Sequence, residues 1–148
     1  MKTSTSPELT AFADDVLRGL SSTPKQLSSK YFYDDEGSRL FQEIPEYYLT
    51  RAEYKLFTEQ TDEIGDAFTQ GAESIDLIEL GAGDGTKTAV LIEHLLKINI
   101  DFTYSPIDIS KEACDALSNK FNAKFPDLMI HPHHGDYFKI LDSLKNGN

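Results

Sequence analysis

A chain of 148 residues with 39% hydrophobic and 11% aromatic residues carries enough apolar material for one globular core, which excludes a disordered tail or linker. Its formal charge of −11, from 14 Lys and Arg against 25 Asp and Glu, repels phosphate backbones and anionic lipid, so nucleic acid is excluded as a partner. No apolar run nears the roughly 20 residues of a membrane span, the opening Met-Lys-Thr-Ser-Thr-Ser lacks the hydrophobic stretch of a signal peptide, and the lone Cys114 allows no internal disulfide; a cytoplasmic protein with no membrane contact is expected.

Ser6 is placed to cap a helix beginning at Pro7, along which Leu9, Phe12, Ala13, Val16, Leu17 and Leu20 recur at three- and four-residue steps. Residues 21–29, with Pro24 inside, read as a loop. The aromatics Tyr31, Phe32 and Tyr33 follow, then an acidic turn Asp34-Asp35-Glu36-Gly37 and a short helix over 38–44 stopped by Pro45. Thr50-Arg-Ala-Glu53 has the form of a capping box, and Tyr54, Phe57, Thr61, Ile64 and Phe68 extend its helix to about Gln70. Residues 1–70 therefore form an N-terminal helical segment without strands. Over 71–148 the pattern alternates: strands at 75–80, 102–109 and 128–134, helices at 87–98 and 110–124, an α/β arrangement with a parallel sheet and right-handed crossovers.

The most informative stretch is Ile75-Asp-Leu-Ile-Glu-Leu-Gly-Ala-Gly-Asp-Gly-Thr-Lys87, a buried strand running into a glycine-spaced loop that opens a helix. Gly81, Gly83 and Gly85 leave no Cβ where backbone must turn sharply or approach a ligand. The dinucleotide pattern G-x-G-x-x-G fails because its last position falls on Thr86, and a P-loop needs a longer gap before Lys-Ser or Lys-Thr. The remaining pattern, E-x-G-x-G-x-G, is that of S-adenosylmethionine-dependent methyltransferases; a tight turn without ligand is the alternative.

Ligands of such sheets sit beyond the carboxyl ends of the strands, which singles out the polar residue closing each one. Asp108 can accept from both ribose hydroxyls of a nucleoside, or it can simply favour a helix N-terminus beside Ser110. Asp136 can accept from an adenine amino group with Tyr137 against the ring, or it can form an ordinary Asx turn. Glu79, inside the first strand, needs partners from the site, the backbone or Lys87. His131, His133 and His134 do not make a metal site, since zinc wants three or four ligands and only two of them share a strand face.

Two further segments carry a resemblance. Ser28-Ser-Lys-Tyr-Phe-Tyr-Asp-Asp-Glu-Gly-Ser-Arg-Leu-Phe41 and Ile44-Pro-Glu-Tyr-Tyr-Leu-Thr-Arg-Ala-Glu53, together with Ile78-Glu-Leu-Gly-Ala-Gly-Asp-Gly-Thr-Lys-Thr88, Pro106-Ile-Asp108 and Gly135-Asp-Tyr137, resemble the histidine-specific methyltransferase family. The resemblance implies N-terminal helices capping a Rossmann-like class I methyltransferase sheet that is truncated here. It implies S-adenosylmethionine as cofactor and methylation of the α-amine of histidine or a related amino acid, as in ergothioneine biosynthesis. It places Gly81, Gly83, Gly85, Lys87, Asp108, Asp136 and Tyr137 on the cofactor, Tyr33 at the same pocket and Tyr47 on the amino-acid substrate; core packing is the alternative for both tyrosines. A cofactor-binding or interaction module without turnover is the other functional reading. Because the first strand of such sheets is central, the resemblance also implies an unpaired edge at 75–80 and self-association through it.

Overall fold

The computed structural model describes residues 6–44 and 48–145, and the chain folds as two compact units, Met1–Tyr33 and Asp34–Asn148. In the first unit α1 (Pro7–Ser21) starts where expected, with Ser6 Oγ accepting from the Leu9 N–H at 3.2 Å. The chain then folds back: the Gln26 N–H donates to the Gly19 carbonyl at 3.0 Å, and a Cβ on Gly19 would stand 2.0 Å from the Gln26 oxygen, so only glycine permits the crossing. A 3-10 turn (Ser29–Phe32) brings Tyr31 edge-on to Phe12, ring centroids 4.8 Å apart, and its hydroxyl donates to Asp15 at 2.6 Å. Lys30 meets the same carboxylate at 2.7 Å. The bond from Lys30, then that from Tyr31, holds the Asp15 carboxyl below its ordinary range.

The second unit runs α2 (Asp35–Gln42), α3 (Tyr48–Glu59), α4 (Thr61–Thr69), β1 (Ser74–Leu80), α5 (Thr88–Lys97), β2 (Asp101–Asp108), α6 (Lys111–Lys124), β3 (Met129–Ile130), β4 (His133–His134) and α7 (Tyr137–Lys145). β1 pairs with β2 in parallel from Ser74 opposite Asp101 to Leu80 opposite Ile107, and β3 and β4 both pair with β2 on its other side. β2 is central and β1 is an edge among the described residues. The core lies where α5 and α6 cover one face of the sheet: Leu91, Ile92 and Leu95 of α5 and Leu117 and Phe121 of α6 close over Leu77, Phe102 and Tyr104. Tyr104 stacks on Phe121, and Phe121 meets Phe125 edge-on, each pair with centroids 5.5 Å apart. This is the α/β arrangement with a parallel sheet read from the alternating pattern, in the Rossmann-like form that the resemblance implies.

Four expectations are corrected. The third strand is interrupted: Thr103 faces Met129 and Ile107 faces His133 in one register, and between them Pro106, which turns to this strand as Tyr104 and Asp108 do, has no N–H for the ladder. The acidic run after Tyr33 is no free turn, because Asp34 caps α2, its carboxylate accepting from the Gly37 N–H at 2.8 Å, and Asp35 and Glu36 sit in the first turn where the helix dipole favours them. Thr50 and Glu53 lie inside α3 and form no capping box, and the single helix expected to Gln70 is two, divided at Gln60. Finally, α7 follows Asp136, where the sequence reading placed no helix. Among the described residues, no helix is long and apolar enough to cross a membrane.

Candidate cofactor site

A parallel sheet ends all its strands at one edge, and here that edge collects the glycine loop after β1, Asp108 closing β2 and Gly135-Asp136 after β4. Hydrogen bonds stitch the three ends together: the Gly81 N–H donates to the Ile107 carbonyl at 2.8 Å and the Gly135 N–H to the Asp108 carbonyl at 2.9 Å. The Asp108 carboxylate is nearly enclosed and bridges two elements, one oxygen accepting from the Gly83 N–H at 3.2 Å, the other from the Ser110 N–H at 2.9 Å. Each oxygen keeps one lone pair for a further donor. Asp108 thus does the helix-end work of the bland alternative and retains capacity for ligand hydroxyls.

The three glycines, all at positive φ, are not equivalent. A Cβ on Gly85 would fall 2.4 Å from Leu117 Cδ1 and 2.6 Å from Phe121 Cζ, so this glycine lets α6 pack against the loop. A Cβ on Gly83 would meet nothing within 4 Å: open space faces the backbone there, beside Asp108, as a bound cofactor requires. Gly81 lies beneath Tyr137, whose hydroxyl is 3.0 Å from the place of a Cβ. The loop's far side is tied down by Asp84, which accepts from the Thr86 N–H at 3.0 Å and hydroxyl at 2.5 Å, and by Lys120 of α6, whose ammonium donates to the Asp84 carbonyl at 2.8 Å. Burial pulls the Asp84 carboxyl up, but Thr86 and Lys120 together hold it below its ordinary range.

Glu79 does not take Lys87 as a hydrogen-bond partner. Its oxygens accept from the Thr88 hydroxyl at 2.6 Å and the Tyr104 hydroxyl at 2.5 Å, fastening β1 to both α5 and β2 just before the loop. Burial, opposed by those two bonds, pushes its carboxyl above the ordinary range, while burial and then the Glu79 charge push the Tyr104 phenol up. Lys87 instead reaches Glu53 of α3 at 2.5 Å, with both side chains part-exposed. Asp136 caps α7, accepting from the Phe138 and Lys139 N–H groups at 3.1 and 3.2 Å.

Of the expected site residues, the second unit brings together Gly81, Gly83, Gly85, Lys87, Asp108, Asp136 and Tyr137 around this edge. Tyr33 belongs to the first unit, and Tyr47 lies outside the described residues. Sequence reasoning missed Glu53 as the partner of Lys87 and Asp35 as a partner of Ser110, whose hydroxyl donates to it at 2.6 Å. Both contacts span tens of residues and leave no local pattern; only the Asp-x-x-Gly cap of α2 could have been read.

A family model described as histidine-specific methyltransferase, SAM-dependent, matches residues 12–148. The histidine N-alpha-methyltransferase of Mycobacterium tuberculosis is 32% identical over 140 residues, 93% of this chain and 42% of that protein. Its namesake from Mycolicibacterium smegmatis is 34% identical over 137 residues, 90% of this chain and 41% of that protein. Ergothioneine biosynthesis protein 1 of Neurospora crassa is 35% identical over 125 residues, 82% of this chain and 14% of that protein. The chain spans about two fifths of the length of the two bacterial relatives.

Proposed function

Because the chain belongs to the S-adenosylmethionine-dependent, histidine-specific methyltransferase family, we propose that it binds that cofactor at the carboxyl edge of its sheet and serves N-methylation of the α-amine of histidine or a closely related amino acid. The observation that carries the reading is the open space over Gly83 beside an Asp108 carboxylate with acceptor capacity to spare. The residues present fit the cofactor. When bound, it supplies a methyl group on a cationic sulfonium, ready for displacement by an unprotonated amine.

The chain's own residues hold and orient. The backbone of Gly81 and Gly83 gives close approach, and Asp108 accepts from the ribose hydroxyls while it keeps the loop and α6 in register. Lys87 takes the cofactor's carboxylate; its surface pair with Glu53 is worth about 0–1 kcal/mol, so the ammonium changes partner at little cost. Asp136 and Tyr137 serve the adenine side, and Tyr47 serves the amino-acid substrate. The acidic surroundings suit a cation, and the reading carries with it a cytoplasmic setting and a small-molecule substrate. The test is calorimetric titration of S-adenosylmethionine into the chain, followed by an assay of methyl transfer to histidine. Micromolar binding supports the assignment; an absence of binding by the folded chain overturns it.

A further inference from the structure

The acidic segment after Tyr33 has no part in the function as stated so far, yet it is bonded into the cofactor edge. Asp35, in the first turn of α2, accepts at 2.6 Å from the hydroxyl of Ser110, a residue only 2% exposed. That hydroxyl in turn accepts from the Ala113 N–H at 3.1 Å and so caps α6, while the Ser110 N–H donates to Asp108 at 2.9 Å. The other Asp108 oxygen holds the Gly83 N–H at 3.2 Å. A continuous chain of bonds therefore runs Asp35–Ser110–Asp108–Gly83, from a helix of the N-terminal half to the open point of the glycine loop. The Ser110 hydroxyl spends its one proton on Asp35 and one lone pair on the Ala113 N–H, so the two bonds together set its direction.

We propose that Asp35 is a positioning residue of the cofactor site: it anchors Ser110 at the start of α6, and through the Ser110 backbone N–H the placement of the Asp108 carboxylate and the Gly83 backbone. The inference rests on the cofactor assignment above. It also gives the acidic segment a physical role: Asp34 starts α2 and Asp35 docks it on the start of α6.

The experiment compares the wild-type chain with Asp35→Ala and Asp35→Asn. Asparagine keeps an acceptor oxygen for Ser110, and because Asp35 is exposed both variants should fold with unchanged circular dichroism. Two readouts are taken: S-adenosylmethionine affinity by calorimetry, and amide exchange at Ser110 and Gly83 in the ligand-free chain. Asp35→Ala should weaken binding about tenfold, the scale of one charge-assisted hydrogen bond, and speed exchange at both amides, while Asp35→Asn stays within about twofold of wild type. Unchanged affinity and unchanged exchange in Asp35→Ala overturn the proposal, as does an equal loss in both variants, which would trace the effect to charge alone. If the wild-type chain binds no cofactor, the assignment of the site fails, and the exchange comparison still decides whether Asp35 holds Gly83.

Discussion

Gly83 and Gly85 stand two residues apart with opposite tasks, and the difference is measurable. Gly85→Ala should destabilise the fold by about 2–4 kcal/mol, since its methyl collides with Leu117 and Phe121 at a positive φ. Gly83→Ala should cost only the conformational penalty of about 1–2 kcal/mol. Gly83→Val, still folded by circular dichroism, should bind no S-adenosylmethionine because its side chain fills the open space. Normal binding by that variant would reduce the loop to a turn. Asp108→Ala should lose on the order of tenfold to several hundredfold in affinity, at ~1.4 kcal/mol per decade; an unchanged dissociation constant removes Asp108 from the site. Glu79 gives a pH signature. Its carboxyl is raised in the folded state, so the folded chain holds the proton more tightly than the unfolded one, and the stability this contributes is present below the unfolded pKa and lost as pH rises through the folded one. Wild type should therefore lose stability relative to Glu79→Gln as pH rises above the ordinary glutamate range, by denaturant midpoints; parallel pH curves would contradict the buried-carboxylate account.

At the scale of elements, legibility followed how local the determining physics was. The start of α1 at Ser6-Pro7, the glycine loop, and the start of α6 at about Ser110 were readable because a cap or a positive φ is set within a few residues, though Ser110 as the cap itself was not read. A helix boundary without a side-chain cap was not readable: α3 ends and α4 starts around Gln60, which makes no capping bond, while Thr50 and Glu53, which have the spacing of a cap, lie inside α3. The third strand was found but not its interruption, because the gap depends on Pro106 of β2 facing this strand, which is visible only once the register is known. The site was legible as strand ends and glycines, while the partners that hold it, Asp35 for Ser110 and Glu53 for Lys87, come from helices distant in sequence. Restoring a donor by Pro106→Ala should close the gap and merge β3 with β4, seen as a slow-exchanging amide at position 106; fast exchange there would place the cause elsewhere.

For the whole molecule the controlling feature is β1, bonded to β2 on one side and to no strand on the other among the described residues, with Ile78 and Leu80 exposed. Such an edge is a template for another chain, opposed here by a net charge of −11. We expect association to be weak at pH 7 in low salt and to grow with added salt, or as pH falls toward the carboxylate range; a monodisperse monomer by light scattering in high salt at high micromolar concentration would refute this. The same strand reports on its own state. In a parallel ladder successive residues turn their N–H groups to opposite neighbours. Because the Gly81 N–H and the Glu73 carbonyl both point to β2, the amides of Ile75, Leu77 and Glu79 face inward and those of Asp76, Ile78 and Leu80 face outward. Hydrogen exchange along β1 should therefore alternate slow and fast, residue by residue, and any strand that comes to lie against it, whatever its origin, will be announced by that two-beat rhythm going flat.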